Sequence, residues 1–218
     1  MKAVFFDAAG TLFHLPRGVG WHYARAAKKH GGYLSAEVME RRFRTVWSAM
    51  RPSPETDGPR PDDDRGWWRR LLSRVFSDAP PTFDLDACFP DLWAEFTLPD
   101  VWELYPETLE VLRALKAKAR LGIVSNFDGR LHRVLSNLGV ADFFEHVIVS
   151  SEVGSDKPSP GIFTHALKRF DLDAKDVIFV GDDPEADWLG AERAGMSVFR
   201  LKRPENDLLG LLQEHITI

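Results

Sequence analysis

Val4-Phe5-Phe6-Asp7-Ala8-Ala9-Gly10-Thr11-Leu12 sets a short apolar run against an aspartate and a Gly-Thr turn. The run reads as a β-strand, and an acid at its end faces a ligand rather than the core, because an ionised carboxylate is not left unpaired in an apolar interior. Two residues after Asp7 stands Ala9, a side chain without acid-base chemistry.

Outward from this stretch, three more apolar runs recur, Leu121 to Val124, Val147 to Val149 and Val177 to Val180, and a further strand is expected from Ser197 to Leu201. Helical patterns separate them: Glu107 to Ala119, Gly129 to Leu138 closing at Gly139, Gly161 to Arg169, and Pro184 to Ala194 closing at Gly195. This alternation predicts an α/β fold, a Rossmann-like core built on a parallel sheet. The segment 16–101 reads differently. It shows no convincing buried strand, and amphipathic helices are expected at Ser35 to Met50, Trp67 to Phe76 and Asp84 to Phe96. The predicted organisation is therefore a core from residues 1–15 and 102–218 with an inserted all-α domain, 16–101. Most of the seven tryptophans fall in or beside the insertion and read as its core. Arg51 to Asp64, with four prolines, Gly58 and three consecutive aspartates, reads as an exposed loop.

The 218 residues are 44% apolar, enough to bury a sizeable core, and the net charge of −5 gives no overall basic field of the kind that attracts nucleic acid. Cys88 stands alone, which excludes an intrachain disulfide and a cysteine zinc cluster and points to the reducing cytoplasm. Asp7 interrupts the first apolar run within ten residues, so neither secretion nor membrane insertion is expected.

In an open parallel sheet, ligands bind beyond the carboxyl ends of the strands, where residues distant in sequence converge. Four strand ends would deliver Asp7 with Gly10-Thr11, then Ser125-Asn126, then Lys157-Pro158, then Gly181-Asp182-Asp183 with Asp187. A carboxylate, a hydroxyl with nearby amides, a cation and an acidic cluster together meet the needs of phosphoryl transfer, in which positioning and charge neutralisation dominate. Asp7 is the candidate nucleophile. Asp182, with Asp183 or Asp187 behind it, would help hold Mg²⁺; Lys157, Ser125 and backbone amides around Ala8, Ala9 and Asn126 would meet phosphoryl oxygens. Alone, each piece has an ordinary reading: an Asp after a strand as a helix cap, a Lys before Pro as solvated, Ser-Asn as a turn.

As a set, these motifs resemble the haloacid dehalogenase superfamily, which has them in this order, and the resemblance spans the chain. The insertion after the first motif is similar to that family's C1 type of helical cap. The resemblance implies Asp7 as nucleophile and metal ligand, the main-chain carbonyl of Ala9 and the carboxylate of Asp182 as further ligands, and Asp187 in support. Ser125 and Lys157 become catalytic phosphoryl-binding residues, with Ala8, Ala9, Thr11 and Asn126 completing the phosphate site. Asn126-Phe127-Asp128 and Gly18-Val19-Gly20 are similar to a poorly characterised subgroup related to haloacid-dehalogenase-like domain proteins of animals. Family phosphatases usually carry an acid two residues after the nucleophile, and Ala9 departs from that pattern. Three readings stay open. The first is a Mg²⁺-dependent phosphatase of low turnover acting on a small phosphorylated molecule, with His14, His22 or Asp128 as substitute acid. The second is a phospholigand-binding regulatory protein. The third is a 2-haloacid dehalogenase, whose halide leaves without a proton. Arginines 17, 25, 41, 42, 44, 51, 60 and 65 of the insertion are candidates to grip a second anionic group, or else line solvated helix faces. Expected partners are a small molecule and, at most, a second copy; nucleic acid and membrane are not expected.

Overall fold

The strands in chain order are β1 (Ala3–Phe6), β2 (Phe13–His14), β3 (Glu103–Leu104), β4 (Arg120–Ser125), β5 (His146–Val149), β6 (Val177–Gly181) and β7 (Ser197–Arg200). The helices are α1 (Gly18–Lys29), α2 (Ala36–Ala49), α3 (Arg65–Val75), α4 (Leu85–Glu95), α5 (Thr108–Lys116), α6 (Arg130–Asn137), α7 (Ser150–Val153), α8 (Pro160–Phe170), α9 (Gly190–Arg193) and α10 (Leu209–His215). The computed structural model describes residues 1–50 and 53–215; Arg51 and Pro52 of the Pro-rich stretch lie outside them.

Five strands form one parallel sheet in the order β5-β4-β1-β6-β7, so the chain winds outward from β1 first to one side and then to the other. A strand covered on both faces must be apolar throughout, and all four residues of β1 are fully buried. Phe5, Val124 and Phe179 join Ile162, Phe163, Ala166 and Phe170 of α8 in one apolar cluster; burying a side chain of this size contributes about 1.5 to 3 kcal/mol. α8 starts where Ser159 caps it and Pro160 occupies its first turn. Gly139 (φ +69°) and Gly195 (φ +85°) take the left-handed conformation after helices, as their positions led us to expect. β2 and β3 pair antiparallel as a two-residue ribbon that the apolar pattern did not reveal.

The chain divides into two units: Met1–His14, Pro54–Asp63 and Glu103–Ile218 form one, and Leu15–Ser53 with Asp64–Trp102 form the other. The second unit is helical, with Tyr23, Met39, Leu71, Val75, Cys88 and Leu92 in its core. Ser35 caps α2 and Asp84 caps α4. α1 was not anticipated, because Gly18 and Gly20 break its helical signal. Gly20 is there for packing: a Cβ on it would lie 2.2 Å from the carbonyl oxygen of Ala36. Two expectations need correction. None of the seven tryptophans is fully buried: Trp67, Trp68 and Trp93 pack partly covered against the helical core and Trp47 is 46% exposed. The stretch 54–63 is largely exposed, as expected of the loop, but it groups with the core unit rather than the insertion, held there by long-range bonds from Arg60, Asp63 and Glu55. Among the described residues, no helix is long and apolar enough to cross a membrane.

Candidate active site

Register decides what meets at the carboxyl edge of the sheet. Phe6 pairs with both Ile123 and Val180, so Asp7 leaves β1 beside the last residues of β4 and β6, its N–H donating to the Val180 carbonyl at 2.8 Å. The following turn folds back on the Ala8 carbonyl, which accepts the N–H groups of Thr11, Leu12 and Phe13 at 3.3, 2.8 and 3.4 Å. It is thus the Ala8 carbonyl, rather than that of Ala9, that closes the turn. Gly10 is required twice over: its φ is +95°, and a Cβ there would sit 2.5 Å from Asp182 Oδ2. The Thr11 hydroxyl donates to Asp182 Oδ1 at 3.1 Å, a use of its side chain that the sequence did not suggest.

Asp7, 8% exposed, receives two donors on the same oxygen. Ser125 Oγ donates to Oδ1 at 3.0 Å and Lys157 Nζ donates to it at 2.7 Å. The same ammonium donates to Asp187 Oδ1 at 2.6 Å, and Lys157 as a whole is only 3% exposed, against the expectation for a lysine before proline. The side chain of Asn126 is turned to the Lys157 backbone. Its Nδ2 donates to the Lys157 carbonyl at 2.8 Å and its Oδ1 accepts the Lys157 N–H at 2.6 Å, so it clasps the backbone that carries the cation.

The fourth strand end separates two roles that the sequence left open. Asp183 is exposed and caps the next turn, accepting N–H groups of Glu185 and Ala186 at 2.8 Å each. Asp187 lies in a π-helical stretch, Pro184–Leu189, a wider turn often found at functional sites, and is turned back beneath the strand. Its Oδ2 accepts the Asp183 N–H at 3.0 Å and would be 2.3 Å from a Cβ on residue 181, so Gly181 makes the room it needs.

Charge follows from this packing. Burial by itself would discharge Lys157, but Asp187 and Asp7 outweigh it and hold the ammonium above its ordinary pKa. Asp187 is pushed up to about 7 by burial and by the charge on Asp7, with Lys157 pulling the other way. Asp182 opens to solvent as a residue, yet enclosure of its carboxyl group and the Asp7 charge push it up to about 6. Carboxylate oxygens of Asp7, Asp182 and Asp187 lie within 4.8 Å of one another. One ammonium among three such groups leaves two negative charges uncompensated when all are ionised, and an all-oxygen donor set of that charge suits a hard divalent cation.

The proposed substitute acids fare unequally. Asp128 is fully buried and accepts Arg130 Nε and Nη2 at 2.7 Å each. His22 belongs to the helical unit, where its Nδ1 pairs with Glu95. His14 stands on β2, its ring 4.7 Å from that of Tyr105. Of the arginines singled out, Arg17 and Arg25 lie over the Trp21 ring, Arg42 and Arg44 pair with Asp78 and Glu40, Arg65 lies over Phe89 and Trp93, Arg41 is exposed, and Arg51 falls outside the described residues. One brace had no signal in the sequence: Arg203 Nη2 donates to the Thr11 carbonyl at 3.2 Å and to Glu107 at 2.5 Å, tying the first turn to a residue 192 positions away.

Comparison with known proteins agrees with this architecture. The haloacid dehalogenase-like hydrolase domain-containing protein 3 of Mus musculus is 30% identical over 91% of this chain and 81% of its own length. A HAD phosphatase from Thermococcus onnurineus superposes with a TM-score of 0.70 at 23% identity, covering 98% of this chain and 97% of that one. The L-2-haloacid dehalogenase from Xanthobacter autotrophicus superposes with a TM-score of 0.72, also at 23% identity, covering 100% and 84%. At such identities the two structures bear on the fold alone. Residues 1–195 match the haloacid dehalogenase-like hydrolase family, and with the mouse relative this places the chain in that family.

Proposed function

We propose that this chain is a phosphatase acting on a small phosphorylated molecule through an aspartyl-phosphate on Asp7, with Mg²⁺ as cofactor. The observation that carries the reading is the single buried ammonium of Lys157 shared between Asp7 and Asp187 in a cluster that keeps room and charge for a divalent cation. Asp7, the Ala9 carbonyl and Asp182 would hold the ion, with Asp187 in support. When bound, it would supply Lewis-acid neutralisation of the phosphoryl oxygens approaching the carboxylate.

The chain's own groups do the rest. Lys157 and Ser125 keep Oδ1 of Asp7 occupied, fixing the carboxylate plane while they stand within reach of phosphoryl oxygens. Attack forms the bond from Asp7 oxygen to phosphorus and breaks the bond to the leaving oxygen; water then cleaves the acyl phosphate at phosphorus and restores the carboxylate. A family acid two residues on would protonate the leaving oxygen. Ala9 does not, and general acid help is worth about 10² to 10⁴ in rate, so substrates whose leaving groups depart as stable anions are favoured.

Ala9 also favours a second reading, a 2-haloacid dehalogenase, because halide needs no proton. Against it stand two uncompensated negative charges facing a substrate that itself carries a carboxylate. A regulatory, phospholigand-binding role remains the limit in which turnover vanishes. The test is hydrolysis of an activated aryl phosphate with and without Mg²⁺, for the native chain and Ala9→Asp, beside halide release from 2-chloropropionate. Metal-dependent hydrolysis of the aryl phosphate, with a gain from the added acid that is largest on an alkyl phosphate, supports the phosphatase; metal-independent halide release overturns it.

A further inference from the structure

We propose that Pro54–Asp63 is a positioning strap that sets the loops bearing Lys157 and Ser125, acting through Arg60 and Asp63. The stretch leaves the helical unit in sequence, groups with the core unit and returns; Arg60, Asp63 and Glu55 bond to core residues, while Asp57 and Asp62 are exposed. Arg60, 7% exposed, sends two donors to Asp156, Nη1 to Oδ1 at 3.2 Å and Nη2 to Oδ2 at 2.8 Å. Asp156 immediately precedes Lys157. A buried pair of this kind gains little net stability, since desolvation offsets the attraction, but a two-pronged fork fixes direction. The Arg60 N–H donates in addition to the Ser151 carbonyl at 2.7 Å.

Asp63 makes the second hold. In the left-handed conformation (φ +50°), its carboxylate accepts the Gly129 N–H at 2.9 and 3.0 Å and the Ser151 hydroxyl at 2.5 Å. Gly129 closes the loop that begins at Ser125-Asn126, and Ser151 begins the one that leads to Lys157. One carboxylate therefore ties the loop after β4 to the loop after β5. Asn126 then clasps the Lys157 backbone from the other side. Arg60 and Asp63 act through Asp156, Ser151 and Gly129, and so are positioning residues and not catalytic ones. Their effect is to decide where the ammonium of Lys157 stands relative to Ser125, and hence how well both meet the oxygens of one phosphoryl group.

This inference rests on Lys157 and Ser125 being the phosphoryl-binding pair. It is tested by titrating the full chain with inorganic phosphate in the presence of Mg²⁺, and separately with Mg²⁺ alone, by calorimetry, for the native protein, Arg60→Gln and Asp63→Asn. Asn tolerates the left-handed backbone, so Asp63→Asn carries the test even where Arg60→Gln does not fold. Loosening Lys157 removes a phosphate contact but uncovers the carboxylates, so phosphate binding should weaken by about 10-fold while Mg²⁺ binding holds or tightens. Variants that bind phosphate like the native chain overturn the strap alone. So does parallel loss of both ligands, which marks a purely structural role. A native chain that binds no phosphate overturns the reading of the site, and the strap with it.

Discussion

The ammonium of Lys157 lies 2.7 Å from Oδ1 of Asp7, across 150 positions of sequence, in a place from which solvent is almost excluded. The candidate site is arranged about that pair: Ser125 shares the oxygen, Asp187 shares the ammonium, and Asn126 holds the lysine's backbone.

Removing the cation isolates the carboxylates. Lys157→Met should destabilise the fold by about 3 to 5 kcal/mol near neutral pH, the cost of leaving a buried charge uncompensated. The loss should shrink when Asp187 takes up a proton at lower pH, and when Mg²⁺ is added. Denaturant unfolding at pH 5 and pH 7.5, with and without the ion, measures this; a deficit independent of both conditions contradicts it.

The acidic cluster also predicts that Mg²⁺ binding depends on pH. An unfolded aspartate loses its proton near pH 4, whereas Asp182 keeps one to about 6 and Asp187 to about 7. The folded state thus binds more protons in between, so these groups favour folding fully below about pH 4 and lose that contribution as pH rises through 6 to 7. A divalent cation must displace the same protons. The rise in Tm caused by Mg²⁺ over a chelator should therefore be small at pH 5 and grow up to about pH 7.5; an increment constant across that range counts against the site.

Ala9→Asp should restore a leaving-group acid. The expected gain is roughly 10² to 10⁴ in kcat for an alkyl phosphate and much less for an activated aryl phosphate, whose leaving group needs no proton. Steady-state kinetics on the two substrates decides it, and equal gains on both exclude proton donation as the cause.

Gly10→Ala tests the turn that admits Asp182. The substitution combines an unfavourable positive φ with a Cβ placed 2.5 Å from the carboxylate. Asp182 must move, and Mg²⁺ affinity measured by calorimetry should fall by about 10-fold or more, with Ser125 and Lys157 left in place. Unchanged affinity would remove Asp182 from the ligand set.

Most of the sheet was legible because its strands are uninterrupted apolar runs: Val4 to Phe6, Leu121 to Val124, Val147 to Val149, Val177 to Val180 and Ser197 to Leu201 all fall on observed strands. Convergence of Asp7, Ser125, Lys157, Asp182 and Asp187 followed from their places at strand ends. What stayed hidden depends on contacts that composition does not encode. Pro, Gly and Asp between residues 54 and 63 read as solvent-loving, and only the fold shows that Asp63 meets Gly129 and Arg60 meets Asp156, 66 and 96 positions away. Asp182, Asp183 and Asp187 are chemically alike in sequence; the π-helical turn separates the cap from the site residues. Lys157 showed its order in the motif but not its burial, which arises because two carboxylates from other elements meet it.

The central claim, that Asp7 accepts a phosphoryl group beside a divalent cation, is tested most directly by crystallising the protein with Mg²⁺ and beryllium trifluoride, which stands in for a phosphoryl group on a carboxylate. The account predicts the fluoride species on the Asp7 carboxylate, contacted by Lys157 Nζ and Ser125 Oγ, with the ion between Asp7 and Asp182. A bare Asp7, or an ion held away from Asp182, would contradict it.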